Sequence, residues 1–334
     1  MTLSRKHFGA GSAAVLASIA FIKGPAQAAE FEYKYGHDLN TDHPLHVRSV
    51  QLWKAVREET GGRLNVTLFP NNQLGNDTAM VSQLRSGALQ FLAIQGVNVS
   101  GVVPLAGMDG LGFVFKTAAD ATRTFDGELG AFVRKDFAAK GIYAFDRVFD
   151  LGFRQITSGN RAIKSAADLA NFKIRTPPAK IAVDLFKTLG ASPTPINFGE
   201  LYTALQTHVV DGQETPFLVI QTQRFFEVQK FLAVSNHSWT GFWLLGNNES
   251  YQALPSDIKA IVERNVRKYV ALERHDVGFV NDATADKLRR LGMTFTHVDQ
   301  ASMRAPLAPY YANWRSEFGP MAWDLLEKSV GKLR

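Results

Sequence analysis

Three histidines, His37, His43 and His46, fall close together with Asp38 and Asp42 beside them. Imidazole nitrogens and carboxylates hold divalent metals only when they converge on one point, and a polar loop at a strand end accounts for the same stretch without a metal. Asp146 with Asp150, and Glu58 with Glu59, are the acidic pairs that could divide general acid and general base work, although surface ion pairing suits them as well. The chain contains no G-x-S-x-G, H-E-x-x-H, Walker A or G-x-G-x-x-G run; Gly107-Met108-Asp109-Gly110-Leu111-Gly112 has its glycines in another order. It contains no cysteine, which excludes disulfides, Cys-held zinc, Cys-ligated iron–sulfur clusters and thiol catalysis. The expectation is therefore a protein that captures a small molecule, with no enzyme activity, no cofactor and no metal.

The elements that would position a binding site alternate strand with helix. Phe31, Tyr33 and Tyr35 alternate with Glu30, Glu32 and Lys34, predicting a strand that ends at Gly36. Val47, Val50, Trp53 and Val56 then recur at helical spacing before Gly61-Gly62. A second strand spans Leu64 to Phe69, Asn76 or Asp77 caps a helix burying Met80, Val81 and Leu84, and a third strand runs from Leu89 to Ile94. Such a βαβαβ unit implies a mainly parallel sheet that binds ligands outside the carboxyl ends of its strands, here the loops Gly36–Leu39, Pro70–Asn72 and Gln95–Asn98.

The same rhythm restarts near residue 150. Arg154 to Thr157 reads as a strand, Ser165-x-x-Asp168 as the cap of a helix, Phe172 to Arg175 as a strand and Ala179 to Leu189 as a helix. Asn197-x-x-Glu200 reads as the cap of a further helix carrying Leu201, Leu205 and Val209. From Pro255 through Lys287 the pattern predicts one helix on the order of 45 Å long, enough to brace two domains. Pro320 to Lys332 reads as a final amphipathic helix with Met321, Trp323, Leu325 and Leu326 on its apolar face.

Arg5, Lys6 and His7, an apolar run from Phe8 to Ile22, and Ala26-Gln27-Ala28 make residues 1–28 a predicted signal peptide, cleaved after Ala28. The export route is left open: Ser4-Arg5-Lys6-His7-Phe8 differs from a twin-arginine signal by a lysine. About 306 of the 334 residues remain, too many for one core and suited to two α/β domains. The first 28 residues hold Arg5, Lys6 and Lys23 and no acid, so the net charge of +6 falls to +3. With Lys and Arg scattered rather than striped, no nucleic-acid partner is expected.

The second half carries a set of ordered blocks: Arg154-Gln-Ile-Thr-Ser, Phe172-Lys-Ile-Arg175-Thr-Pro177, Gly190-Ala-Ser-Pro193-Thr-Pro195, Phe198-Gly-Glu200-Leu-Tyr202 and Asp211-Gly212-Gln213-Glu214. Together with Phe69-Pro70-Asn-Asn-Gln73-Leu74-Gly75 and Phe225-Phe-Glu227-Val-Gln229-Lys230, they resemble the DctP-type solute-binding proteins of tripartite ATP-independent periplasmic (TRAP) transporters over essentially the whole chain. The resemblance implies a two-domain α/β clamshell with a central ligand cleft and a long helix spanning both domains. Residues 29–152 with 241–280 would form domain I, and 153–240 with 281–334 domain II. It further implies a monomeric periplasmic protein that closes on a small organic acid and delivers it to membrane permease subunits.

Arg175 matches the family arginine that holds the ligand carboxylate, and Arg154 a second cleft arginine that could instead support. The chemistry fits, since a guanidinium offers paired N–H donors in a planar fork matching both carboxylate oxygens; on pattern alone Arg175 could equally pair with a surface acid. Phe198 matches a cleft aromatic and Gln95 a first-domain cleft position. Thr215 stands where the family usually has asparagine, replacing an amide by a hydroxyl and a methyl. With Phe149, Trp239, Phe242 and Trp243 as further rings, the cleft leans toward a monocarboxylate such as an aromatic or branched 2-oxo or 2-hydroxy acid. The competing readings are an ABC-type binding protein and an exported enzyme acting on an organic acid.

Overall fold

Residues 29–333 are described by a computed structural model of the chain, and the predicted signal peptide lies outside them. Within them ten strands form, those expected at β1, β2, β3, β5 and the end of β4 among them: β1 (Phe31–Gly36), β2 (Leu64–Phe69), β3 (Phe91–Gln95), β4 (Ile142–Ser158), β5 (Lys173–Thr176), β6 (Ser192–Pro195), β7 (Gly212–Pro216), β8 (Phe231–Val234), β9 (Trp239–Asn247) and β10 (Thr294–His297). They join in the order β2-β1-β3-β9-β4-β7-β5-β6, with β8 pairing β4, and β10 pairing β8.

Each half is parallel as expected, β1 with β2 and β3, and β5 with β6 and β7. The halves are joined by antiparallel pairs, β3 with β9, β9 with β4, and β4 with β7. This join departs from a mainly parallel sheet. All nine residues of β9 are buried, so no polar alternation marks it as a strand.

β4 is 17 residues long and pairs with β9 over its first part and with β7 and β8 at its end. Its pairing with β9 slips between Asp150 and Gly152, where Gly152 has φ of 90° and donates its N–H to Asp150 Oδ1 at 2.8 Å. Such a bulge bends a strand. Across the bend runs the helix Ser256–Arg290, 35 residues or about 52 Å. Arg274 clamps it to Asp126 through two bonds of 2.8 Å, and Arg48 reaches Asp276 at 2.6 Å.

The two hydrophobic cores lie on the two sheet faces. Leu92, Ile94, Trp243 and Leu245 belong to one, and Phe91, Ala93, Phe242 and Leu244 to the other, as the period of two requires.

Three helix expectations change. The Ser165–Asp168 capping box forms, but it starts a single 3₁₀ turn, Ala166–Leu169, because Asn171 takes φ of 57° and turns the chain into β5. Asn197 makes no side-chain cap; a 3₁₀ turn precedes the short helix Leu201–Gln206, and Val209 lies beyond it, 55% exposed. The final helix begins at Ala308 and kinks at Gly319, before Pro320. Its buried face is Tyr310, Trp314, Trp323 and Leu326, while Met321 is 62% exposed. That helix packs against both Glu128–Ala139 and Lys180–Thr188, with Lys328 on Glu128 at 2.6 Å. No described helix is long and apolar enough to cross a membrane.

Candidate functional site

The carboxyl ends of β1 and β3, the bent part of β4, and the ends of β5 and β7 converge on one cleft. Asp38 and Leu39 follow β1, Gln95 ends β3, and Asn98 lies just beyond. β4 supplies Leu151 and Arg154, β9 supplies Thr240 and Phe242, and the far wall holds Arg175, Pro177, Phe198, Thr215, Pro216 and Val219.

Arg154 is fully engaged by the protein. Its Nε and Nη2 grip the Glu214 carboxylate, Nη2 also reaches the Glu214 carbonyl at 2.6 Å, and Nη1 donates to Thr240 Oγ1 at 2.9 Å and Gln95 Oε1 at 3.2 Å. These bonds use all five guanidinium N–H groups. Glu214 also accepts from His237 Nε2 at 3.0 Å, and Ser235 Oγ lies 2.8 Å from His237 Nδ1. Burial works to raise the Glu214 carboxyl, but Arg154 and His237 outweigh it and hold it at about 2. Burial lowers His237, which stays neutral and donates through Nε2.

The Asp211-Gly212-Gln213-Glu214 block is a structural device. Asp211 Oδ2 accepts from Lys173 N at 3.0 Å and Gln213 Nε2 donates to Thr157 Oγ1 at 2.9 Å, tying β7 to its neighbours. A Cβ on Gly212 would sit 2.0 Å from the Thr157 carbonyl, so only glycine lets β7 approach β4 and deliver Glu214 to Arg154.

Arg175 contrasts with Arg154. It is 2% exposed, yet among the described residues its one hydrogen bond runs from Nε to the Ile196 carbonyl at 2.9 Å, leaving the four N–H groups of Nη1 and Nη2 without an acceptor there. Its guanidinium lies 5.7 Å from the centre of the Phe198 ring. Burial lowers its pKa to about 10, with Glu214 opposing, so it remains a cation at neutral pH. Thr215 Oγ1, on the same wall, is buried without a partner.

The opposite wall has the reverse need. Asp38 Oδ1 and Asn98 Oδ1 are buried and receive no hydrogen bond, and Asn98 Nδ2 donates to Asp77 Oδ2 at 2.6 Å. Burial, reinforced by Asp77, pushes the Asp38 carboxyl well above the usual range, and burial raises Asp77 to about 6.

Of the predicted site residues, the structure brings Arg175, Arg154, Thr215, Phe198 and Gln95 to this cleft. Trp239 lies elsewhere, in the core, stacked at 5.7 Å on Phe125 with its Nε1 donating to Asp150 at 2.7 Å. Its neighbours Thr240 and Phe242 have the opposite parity on β9 and face the cleft instead. Phe149 and Trp243 are core residues as well. Asp38, Asn98 and Thr240 were not singled out from sequence, although two of the loops at the strand ends contain Asp38 and Asn98.

The histidine trio has structural duties. His43 Nδ1 caps the helix Pro44–Glu59 by accepting from Leu45 N, and His37 Nδ1 accepts from Leu39 N, so that its Nε2 donates to His46 Nδ1 at 3.0 Å. No cluster able to hold a metal occurs among the described residues. Asp146 pairs with Arg267 and Glu59 with Arg264, outside the cleft.

The family model described as bacterial extracellular solute-binding protein, family 7 (DctP), matches residues 35–317. The chain belongs to this family. It is 30% identical over 328 residues to the C4-dicarboxylate-binding periplasmic protein DctP of Rhodobacter capsulatus, covering 98% of this chain and 95% of that one. It is 35% identical over 261 residues to an uncharacterized protein, y4mM, of Sinorhizobium fredii, covering 78% of this chain but spanning about half, 48%, of that relative's length. Its fold superposes, with a TM-score of 0.86 and 28% identity, on a TRAP periplasmic solute-binding protein of Polaromonas sp. JS666 bound to D-erythronate, covering 91% of this chain and 100% of that one. The family and its structural neighbours are transporter solute-binding proteins, not enzymes.

Proposed function

We propose that the chain is the solute-capturing component of a TRAP transporter, exported to the periplasm, where it holds a small monocarboxylate by a fork-to-fork pair with Arg175 and passes it to membrane permease subunits. The observation that carries this reading is the contrast between the two buried arginines. Arg154 has no donor left for a ligand, whereas Arg175, which lines the same cleft, has four. A buried guanidinium whose Nη1 and Nη2 donors meet no described protein acceptor is costly, and a ligand carboxylate placed on them supplies those acceptors.

Arg154 then acts as a strut. It ties Glu214 on β7 to Gln95 on β3 and Thr240 on β9, and Asn40 Nδ2 adds a bond to the Thr222 carbonyl at 2.6 Å. The Gln95 and Asn40 bonds cross between the two halves and would break on opening, so the ligand drives closure by binding the closed form better. Leu39, Leu151, Phe198, Val219 and Phe242 give the cleft apolar walls, which supports a branched or aromatic acid rather than a fully hydroxylated sugar acid. The ligands named for two of the relatives, a C4-dicarboxylate and D-erythronate, are both small organic acids.

The test is a thermal-shift screen of the exported protein against mono- and dicarboxylates, sugar acids, and aromatic 2-oxo and 2-hydroxy acids. A ligand at 100 times its Kd stabilises by about 2.7 kcal/mol. A shift with monocarboxylates that disappears in Arg175→Ala supports the reading; a shift that survives that substitution refutes it.

A further inference from the structure

The cleft is polarised. On one wall lie four unused N–H donors of Arg175, and on the other lie the buried oxygens Asp38 Oδ1 and Asn98 Oδ1, which receive no hydrogen bond. We infer that Asp38 and Asn98 select a hydroxy monocarboxylate, one that brings a hydroxyl donor to the wall facing away from its carboxylate, over the corresponding oxo, deoxy or dicarboxylate acid. This rests on the proposed pairing of the ligand carboxylate with Arg175.

The orientation of Asn98 is set by its neighbour. Asn98 Nδ2 donates to Asp77 Oδ2 at 2.6 Å, and exchanging the amide nitrogen and oxygen would bring two acceptors together. Asn98 Oδ1 is therefore an acceptor that no described protein group satisfies. Asp38 is 6% exposed and presents a second such oxygen in the same cleft. Burial and Asp77 favour a protonated Asp38 in the empty cleft, while Arg175 and Arg154 favour the carboxylate. With Asp38 protonated, a ligand hydroxyl accepts from Asp38 and donates its one hydrogen to Asn98 Oδ1, so both buried oxygens are paired.

The alternatives fail on the same groups. An oxo oxygen only accepts, so Asn98 Oδ1 stays buried and unpaired. A hydrocarbon leaves both oxygens unpaired. A second carboxylate places a negative charge beside Asp38 and Asp77 with no cation to receive it, since Arg154 has all five donors bound. Sites built to hydrogen-bond a substrate hydroxyl discriminate strongly against analogues that lack it.

The experiment is calorimetric titration of the exported protein with 4-hydroxybutyrate, 4-oxobutyrate, butyrate, succinate and 4-aminobutyrate, which share one carboxylate and differ at the far end of the chain. The hydroxy acid is expected to bind roughly tenfold or more tighter than its counterparts. Asn98→Ala and Asp38→Asn, checked for folding by circular dichroism, should each shrink that preference, with Asp38→Asn raising succinate relative to the hydroxy acid. Arg175→Ala should abolish binding of every member. Arg175-dependent binding without a hydroxyl preference, or a preference that survives both Asn98→Ala and Asp38→Asn, overturns this inference alone. Tighter binding of 4-aminobutyrate than of 4-hydroxybutyrate overturns it in favour of an ammonium donor. Binding that persists in Arg175→Ala overturns the underlying reading, and failure of every acid to bind counts against both.

Discussion

Replacing each of the two buried arginines by alanine should give opposite results. Arg154→Ala leaves the Glu214 carboxylate, 2% exposed, with His237 as its remaining side-chain partner. Removing one member of a buried ion pair costs about 3–5 kcal/mol. At about 2–4 °C per kcal/mol for a large domain, the melting temperature should fall by roughly 6–20 °C. Arg175→Ala removes one hydrogen bond, to the Ile196 carbonyl, and with it a desolvated cation that nothing in the empty protein fully pairs. These effects oppose each other, so the empty protein should lose no more than about 1 kcal/mol. Its affinity for the carboxylate ligand should drop by roughly a hundredfold or more. Scanning calorimetry without ligand, followed by titration with an acid identified in the screen, measures both quantities. Equal destabilisation by the two substitutions, or an unchanged melting temperature in Arg154→Ala, would refute the division of labour.

Other expectations follow from the same contacts. Because the Glu214 carboxyl is held at about 2 in the folded protein against an ordinary 4.5, its contribution of about 3 kcal/mol is complete above pH 4.5 and is lost as the pH falls toward 2. Melting curves between pH 7 and 3 should therefore be steeper for wild type than for Glu214→Gln. Gly212→Ala forces a Cβ to 2.0 Å from the Thr157 carbonyl and should destabilise by about 2 kcal/mol or more, read as a lower denaturant midpoint; an unchanged midpoint contradicts the close approach of β7 to β4. Thr215→Val replaces an unpartnered buried hydroxyl, so it should leave the melting temperature of the empty protein within a few degrees while weakening ligand binding several-fold. Asn40→Ala removes the 2.6 Å bond to the Thr222 carbonyl and should reduce the ligand-bound closed population, seen as a smaller contraction in solution scattering.

Much of the first half could be read directly because its elements carry local signals. β1 alternates visibly, Asn76 caps its helix through Ala79 N, and Gly87 closes that helix with φ of 79°. The rule that ligands bind at strand carboxyl ends points from sequence alone to the segments holding Asp38, Gln95 and Asn98. The central join was harder. β9 is apolar on both faces, so periodicity alone could not tell Phe242, in the cleft, from Trp239, in the core. The different tasks of Arg154 and Arg175 were also out of reach, since both are buried arginines on strands and the distinction lies in which acceptors surround them. Glu214 is 60 residues from Arg154 and Gln95 is 59 residues away, and such long-range pairings leave no local mark.

The most direct test is a crystal structure of the protein with an acid that stabilises it. The account predicts both ligand carboxylate oxygens at hydrogen-bond distance from Nη1 and Nη2 of Arg175, with the Arg154–Glu214 pair intact. A carboxylate bound to Arg154 with Glu214 displaced, or a ligand that leaves the Nη1 and Nη2 donors of Arg175 without an acceptor, would contradict it.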